Sequence, residues 1–156
     1  MNKYFRESLI VIISSLFLGL VSCTPMTCFD DTESFLKASF YNYKTKTRLA
    51  PDSISLYGVG NENIFLYKKA LKVQPALFAL NPSVATCKYI IKINNITDTI
   101  TFTYTNFLHL VSKECGYTFY YTLSEKPVFT KNAIDSLSIT NGLITTLNEE
   151  NIRIYY

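Results

Sequence analysis

The chain has 156 residues, enough for one hydrophobic core and too few for two. Lys and Arg number 15 against 12 Asp and Glu, and a surplus of +3 spread along the chain excludes a basic nucleic-acid-binding module. A hydrophobic content of 48%, with 15% aromatic residues, excludes disorder.

The N-terminus begins with Met1 to Glu7, which carries Lys3 and Arg6, followed by the apolar run Ser8 to Leu20, SLIVIISSLFLGL. That is the pattern of a secretory signal. The run is shorter than the roughly 20 residues that cross a hydrocarbon core, so cleavage is expected rather than a permanent span. Leu20-Val21-Ser22-Cys23 follows and resembles the bacterial lipobox, in which a small residue before Cys admits the lipoprotein signal peptidase. The thiol is indispensable there because its sulfur receives the diacylglyceryl group, and the new terminal amine is then acylated, as with palmitate. Each buried CH₂ of such chains contributes roughly 0.8 kcal/mol, and two or more chains make attachment stable. The expected division is a signal peptide over 1–22, lipidated Cys23 and a short tether over 23–33, and one domain over 34–156. The lipid membrane is thus the expected partner of Cys23.

From Ser34 onward the chain reads as strand after strand. Ser34 to Tyr43 alternates with a period of two, and Ser53 to Tyr57 turns Ile54 and Leu56 inward. Gly58 to Asn63 is a turn, and Ile64 to Tyr67 returns. Between Lys68 and Ser83, Pro75 confines any short strand to an edge or places itself at a strand end. Thr86 to Ile93 places Cys87, Tyr89, Ile91 and Ile93 on one face. Asn94-Asn95 is a turn, which Ile96 to Asp98 is expected to lengthen. Thr99 to Tyr104 opposes Ile100, Phe102 and Tyr104 to threonines, while Phe107 to Val111 fits a short strand or a helical turn. Cys115 to Leu123 places Tyr117, Phe119 and Tyr121 on a face expected to be core. Asn141-Gly142 predicts a hairpin between Ile134–Thr140 and Leu143–Leu147. Ile152 to Tyr156 closes the chain. Eight or nine strands with no helical pattern between them predict an all-β fold, an antiparallel β-sandwich immunoglobulin-like in general architecture, preceded by a cleaved signal helix. A barrel is the alternative.

Beyond Cys23, three cysteines remain, Cys28, Cys87 and Cys115, so one intramolecular disulfide can form in any of three pairings. Cys87 sits in an apolar stripe, where cysteine usually acts as a small buried hydrophobe. A Cys28–Cys115 bond would close a long loop, worth about 4–5 kcal/mol on chain-entropy grounds. His109 is the only histidine, which excludes a zinc site and leaves no Ser-His-acid arrangement, since no G-x-S-x-G occurs. Gly58-x-Gly60 lacks the third glycine and following helix of a dinucleotide site. The pairs Asp30-Asp31 and Glu149-Glu150 belong to linkers or turns. No catalytic residue, metal or cofactor is expected, and the protein is not read as an enzyme. Among 12 Tyr and 11 Phe, Tyr120 and Tyr155 lie on the parity opposite to the apolar stripes. With His109 they are the candidate contact surface.

The chain resembles a family of uncharacterised small lipoproteins from Bacteroidota, a domain of unknown function. Cys23 with Cys28, Phe40-Tyr41, Asp52 to Gly58, Leu80-Asn81, Asp98 to Tyr104, Val111-Ser-Lys-Glu-Cys-Gly-Tyr117 and Ile152 to Tyr155 carry the likeness. The resemblance implies a β-sandwich lipoprotein with Cys28 and Cys115 as the recurring disulfide pair, and it transfers no catalytic residue. Uncharged Thr24 to Thr27 favours the periplasmic face of a bacterial membrane, the outer one in expectation, over cell-surface display. The expected role is a non-enzymatic envelope component that contacts an unknown envelope protein. A tethered module for glycan or another small molecule is the alternative.

Overall fold

A computed structural model describes residues 27–156, and among them the chain forms eleven strands and no helix. The expected signal helix and Cys23 lie outside the described residues. The strands are β1 (Phe35–Tyr41), β2 (Ser53–Gly58), β3 (Phe65–Leu71), β4 (Ala76–Ala79), β5 (Thr86–Ile93), β6 (Ile96–Ser112), β7 (Gly116–Leu123), β8 (Val128–Phe129), β9 (Ser136–Ile139), β10 (Leu143–Ile144) and β11 (Ile152–Tyr155). They build two packed sheets, one ordered β4-β1-β11-β9 and one ordered β10-β7-β6-β5-β2-β3, with β8 beside β6. The fold is a β-sandwich. Alternation puts Leu36, Ala38 and Phe40 of β1 against Ile54, Ile91 and Phe102 of the other sheet, all fully buried. Phe78 of β4 crosses between the layers, edge-on to Tyr89 at 5.2 Å and to Phe102 at 5.3 Å. Pro75 lies just before β4, at a strand end, and β4 is also an edge strand.

Pairing departs from the sequence expectation in three places. One neighbour pair is parallel: β1 runs alongside β11, Ala38 opposite Ile152 and Tyr41 opposite Tyr155. The whole second sheet is laid down between these strands, and that excursion supplies the crossover a parallel pair needs. The β5–β6 connection is also tighter than expected. Ile93 pairs with Ile96, so Asn94 (φ 46°) and Asn95 (φ 71°) alone make the turn, with the two positive φ values of a type I′ hairpin. Phe107 to Val111 is strand, the continuation of the 17-residue β6.

The third departure is Asn141-Gly142, which makes no hairpin. β9 pairs with β11, whereas β10 pairs with β7, so the dipeptide carries the chain from one sheet to the other. Buried Asn151 holds that crossing. Its side-chain oxygen accepts the Lys37 N–H at 2.9 Å, and its amide donates to the carbonyls of Asn141 and Leu143 at 3.1 and 3.0 Å. These bonds draw the segment to the β1–β11 seam and away from a local turn.

The Asn94-Asn95 turn yields a stability prediction. Asn95→Gly is expected to raise the unfolding free energy by roughly 0.5 kcal/mol, and Asn95→Ala to lower it by roughly 1 kcal/mol, because only glycine takes a left-handed φ without a Cβ penalty. Urea melts at matched pH measure both.

Candidate functional site

The strand β6 outruns its neighbours. β5 pairs with it only as far as Thr103, and beyond that point β7 is its partner out to Ser112 opposite Gly116. On the far side β10 borders β7 only at Tyr121 and Thr122. Residues 106–112 and 116–120 therefore form a two-stranded arm that projects beyond its own sheet. Opposed residues of an antiparallel pair share a face. One face of the arm thus carries Leu108 with Phe119 and Leu110 with Tyr117, and these side chains are 38–65% exposed. Tyr117 and Phe119 were expected in the core. They continue the core-facing parity of buried Tyr121, but the arm extends past the opposite sheet and leaves them exposed, Tyr117 more than Phe119.

The other face of the arm brings together two of the three candidate contact residues. The His109 ring stacks on Tyr120 at 4.1 Å, and Phe107 meets Tyr120 edge-on at 6.0 Å. The Tyr120 hydroxyl lies 3.3 Å from that of Thr146. At the arm's turn Cys115 is joined to Cys28 by a disulfide, with 4.8 Å between the two Cα atoms. The Thr118 hydroxyl donates to the Thr32 carbonyl at 2.6 Å, so the tether is held along the arm at two points. Cys87 remains a free thiol. It is half-buried rather than fully enclosed, with Sγ 2.9 Å from the Tyr104 hydroxyl. Burial, and then Cys87 itself, pushes that phenol above its ordinary range.

Tyr155, the third candidate, lies elsewhere. It is on the outer face of the first sheet, opposite Tyr41, with the two rings 5.5 Å apart. Lys46 Nζ sits 4.7 Å from the Tyr155 ring and 4.0 Å from that of Tyr43, and the Arg153 guanidinium lies 5.2 Å from Tyr41. Glu150 is the hub of this cluster. It accepts the Tyr41 hydroxyl at 2.9 Å, Arg153 Nε at 2.6 Å and Arg48 Nη2 at 3.4 Å. Burial alone would raise the Glu150 carboxyl, but hydrogen bonds from Arg153, Ser39 and Tyr41 together outweigh it and hold the group below the usual carboxylate range. Sequence reading assigned Glu150 to a turn. Two of its partners are more than 100 residues away in the chain, so no local signal marks it.

Between tether and first sheet lies a cleft of about 510 Å³, whose lining includes Asp30, Asp31, Glu33 and Lys37. Lys37 Nζ donates to the Leu147 carbonyl. No group of His, Cys, Asp and Glu among the described residues could hold a metal ion, and no helix there is long and apolar enough to cross a membrane. The tether enters at the start of β1. Tyr41 is at its other end, six residues on and about 20 Å away at 3.3 Å per residue. Arm and tether therefore occupy one end of the sandwich, and the tyrosine–arginine cluster the other.

No curated protein matches the chain, and no solved structure does. A family match covers residues 53–156, from the start of β2 to the terminus, and so includes Cys87 and Cys115 while β1 and Cys28 lie outside it. The chain belongs to that family, a family of unknown function (DUF6452).

Proposed function

We propose that the protein is a Bacteroidota envelope lipoprotein without catalytic activity. It is anchored through acylated Cys23 on the periplasmic face of the outer membrane and presents its far end to another envelope protein. The observation that supports this reading is the polarity of the sandwich. The tether meets β1 at Phe35, and Tyr41, Tyr155 and Arg153 cluster at the opposite end of the same sheet. A domain held by that tether turns the cluster away from the membrane. Tyrosine and arginine dominate the anchoring positions of protein interfaces, because each combines a broad apolar surface with fixed hydrogen-bond donors. Glycan stacking on these rings is less well supported, since Arg153 lies over Tyr41 and Lys46 over Tyr155.

Crosslinking and pull-down from native envelopes tests the contact. Wild type and Tyr120→Ala are expected to recover the same partner, and Tyr155→Ala to lose it. Recovery of no protein by wild type, or undiminished recovery by Tyr155→Ala, overturns the contact. The anchor has its own test in intact mass. The purified protein is expected to lack residues 1–22 and to carry acyl chains, and Cys23→Ser is expected to remain an unmodified precursor.

A further inference from the structure

We propose that the β6–β7 arm docks on the lipid surface, giving the domain a second point of attachment beside the acylated Cys23. The inference rests on the anchor reading above. Its starting point is where the described chain ends. Cys23 is five residues from Cys28, at most about 18 Å of fully extended chain. Cys28 in turn is bonded to Cys115 at the arm's turn, with 4.8 Å between their Cα atoms. The arm's tip therefore stays within about 20 Å of the headgroups in which Cys23 is held. A disulfide to any point on the sandwich body would have left the arm free to face water. This one keeps it within the tether's reach of the membrane.

The chemistry of the arm fits that position. Leu108, Leu110, Tyr117 and Phe119 share one face, and exposed Phe107 extends the apolar surface to the other. A two-stranded ribbon with exposed apolar side chains on both faces is poorly suited to water and well suited to the polar–apolar boundary of a bilayer, where tyrosine rings concentrate. Charge selects the kind of lipid. The carboxylates of Asp30, Asp31, Glu33 and Glu114 outnumber the ammonium groups of Lys113 and, in the cleft beside the tether, Lys37, and these two lysines make no polybasic patch. The surface suits zwitterionic headgroups, since attraction to anionic lipid needs clustered Lys and Arg. Once acylation has placed the protein on the membrane, arm docking is intramolecular and needs only weak affinity to be populated.

The chain contains no tryptophan, so a single introduced indole reports from one place only. Two full-length variants serve, Tyr117→Trp on the arm and Leu71→Trp at the opposite end of the sandwich, both highly exposed positions. Each is purified in its acylated form and reconstituted in vesicles of phosphatidylethanolamine and phosphatidylcholine. Tyr117→Trp emission is expected to shift to shorter wavelength and to lose most of its intensity to bromine placed just below the headgroups. Leu71→Trp emission is expected to do neither. Replacing a third of the lipid by phosphatidylglycerol is expected to weaken the Tyr117→Trp response. An acylated mass with water-like Tyr117→Trp emission overturns the inference and leaves the anchor standing. So does a shift that appears only in native envelopes, which marks a protein occupant, or only with rising protein density in the vesicle, which marks a second copy. A purified protein without acyl chains overturns the anchor reading instead, and with it this inference.

Discussion

Cys28→Ser/Cys115→Ser is expected to lower the unfolding free energy by about 4–5 kcal/mol, since the bond it removes closes a very long loop and so restricts the unfolded chain most. The double replacement keeps an unpaired Cys115 or Cys28 from capturing Cys87. Two structural facts shape the distribution of the loss. The bond joins the arm's turn to a tether that has only one further hydrogen bond to the arm, through Thr118 and Thr32. The arm itself has no strand beside β6 past Thr103 except β7. Without the disulfide its amides are expected to open locally before the sandwich does. Hydrogen exchange at Phe107 to Leu110 should accelerate more than at Ile100 to Tyr104. A change below 1 kcal/mol in urea, or exchange that accelerates uniformly along β6, would count against this account.

The second large effect lies at Asp98, which is 1% exposed and faces the core from β6. Its carboxylate accepts the N–H groups of Asn132, Ala133 and Ile134 at 2.9, 2.7 and 2.9 Å, together with the Thr130 hydroxyl. These bonds fasten the loop after β8 over one end of the sandwich. Asp98→Ala leaves the donors of that loop without a partner, and is expected to cost about 3–5 kcal/mol at neutral pH, where each buried donor left unsatisfied costs about 1–3 kcal/mol. Burial by itself would raise this carboxyl, but the hydroxyl and the three backbone donors outweigh it and lower its pKa in the fold. The folded value is thus below the unfolded one. The stabilisation is fully present above the unfolded carboxyl's pKa of about 3.9 and is lost as pH falls through the lower, folded value. The gap in melting temperature between wild type and Asp98→Asn should accordingly be constant from pH 7 to pH 5 and shrink at lower pH. A gap that widens toward low pH would show that the carboxylate is not the group being read.

Strand content was legible in the sequence because a strand's period is local. Tyr89, Ile91 and Ile93 lie on one parity, Ile100, Phe102 and Tyr104 alternate with threonines, and each of these six is buried. Pro75 marks the start of β4 for a similarly local reason, a missing N–H, whereas the edge position of β4 is set by the sheet order. Which faces are covered is another matter. Tyr117 and Phe119 carry the same alternation as Tyr121, yet only Tyr121 is buried, because the opposite sheet ends before the arm does. Parity says which side chains share a face, and only the partner sheet decides whether that face meets protein. Asn141-Gly142 has hairpin chemistry, but Asn151 and the β1–β11 seam draw the two flanking strands into different sheets. Tyr120 and His109 came together because β6 and β7 are neighbours, and Tyr155 went to the other sheet because the last strand inserts between β1 and β9. Asp98 and Glu150 gave no local signal, since Asp98 meets a loop more than 30 residues on and two of Glu150's partners are more than 100 residues away. Local backbone geometry wrote the strands into the sequence; burial, sheet membership and the two polar hubs came from contacts between residues far apart in it.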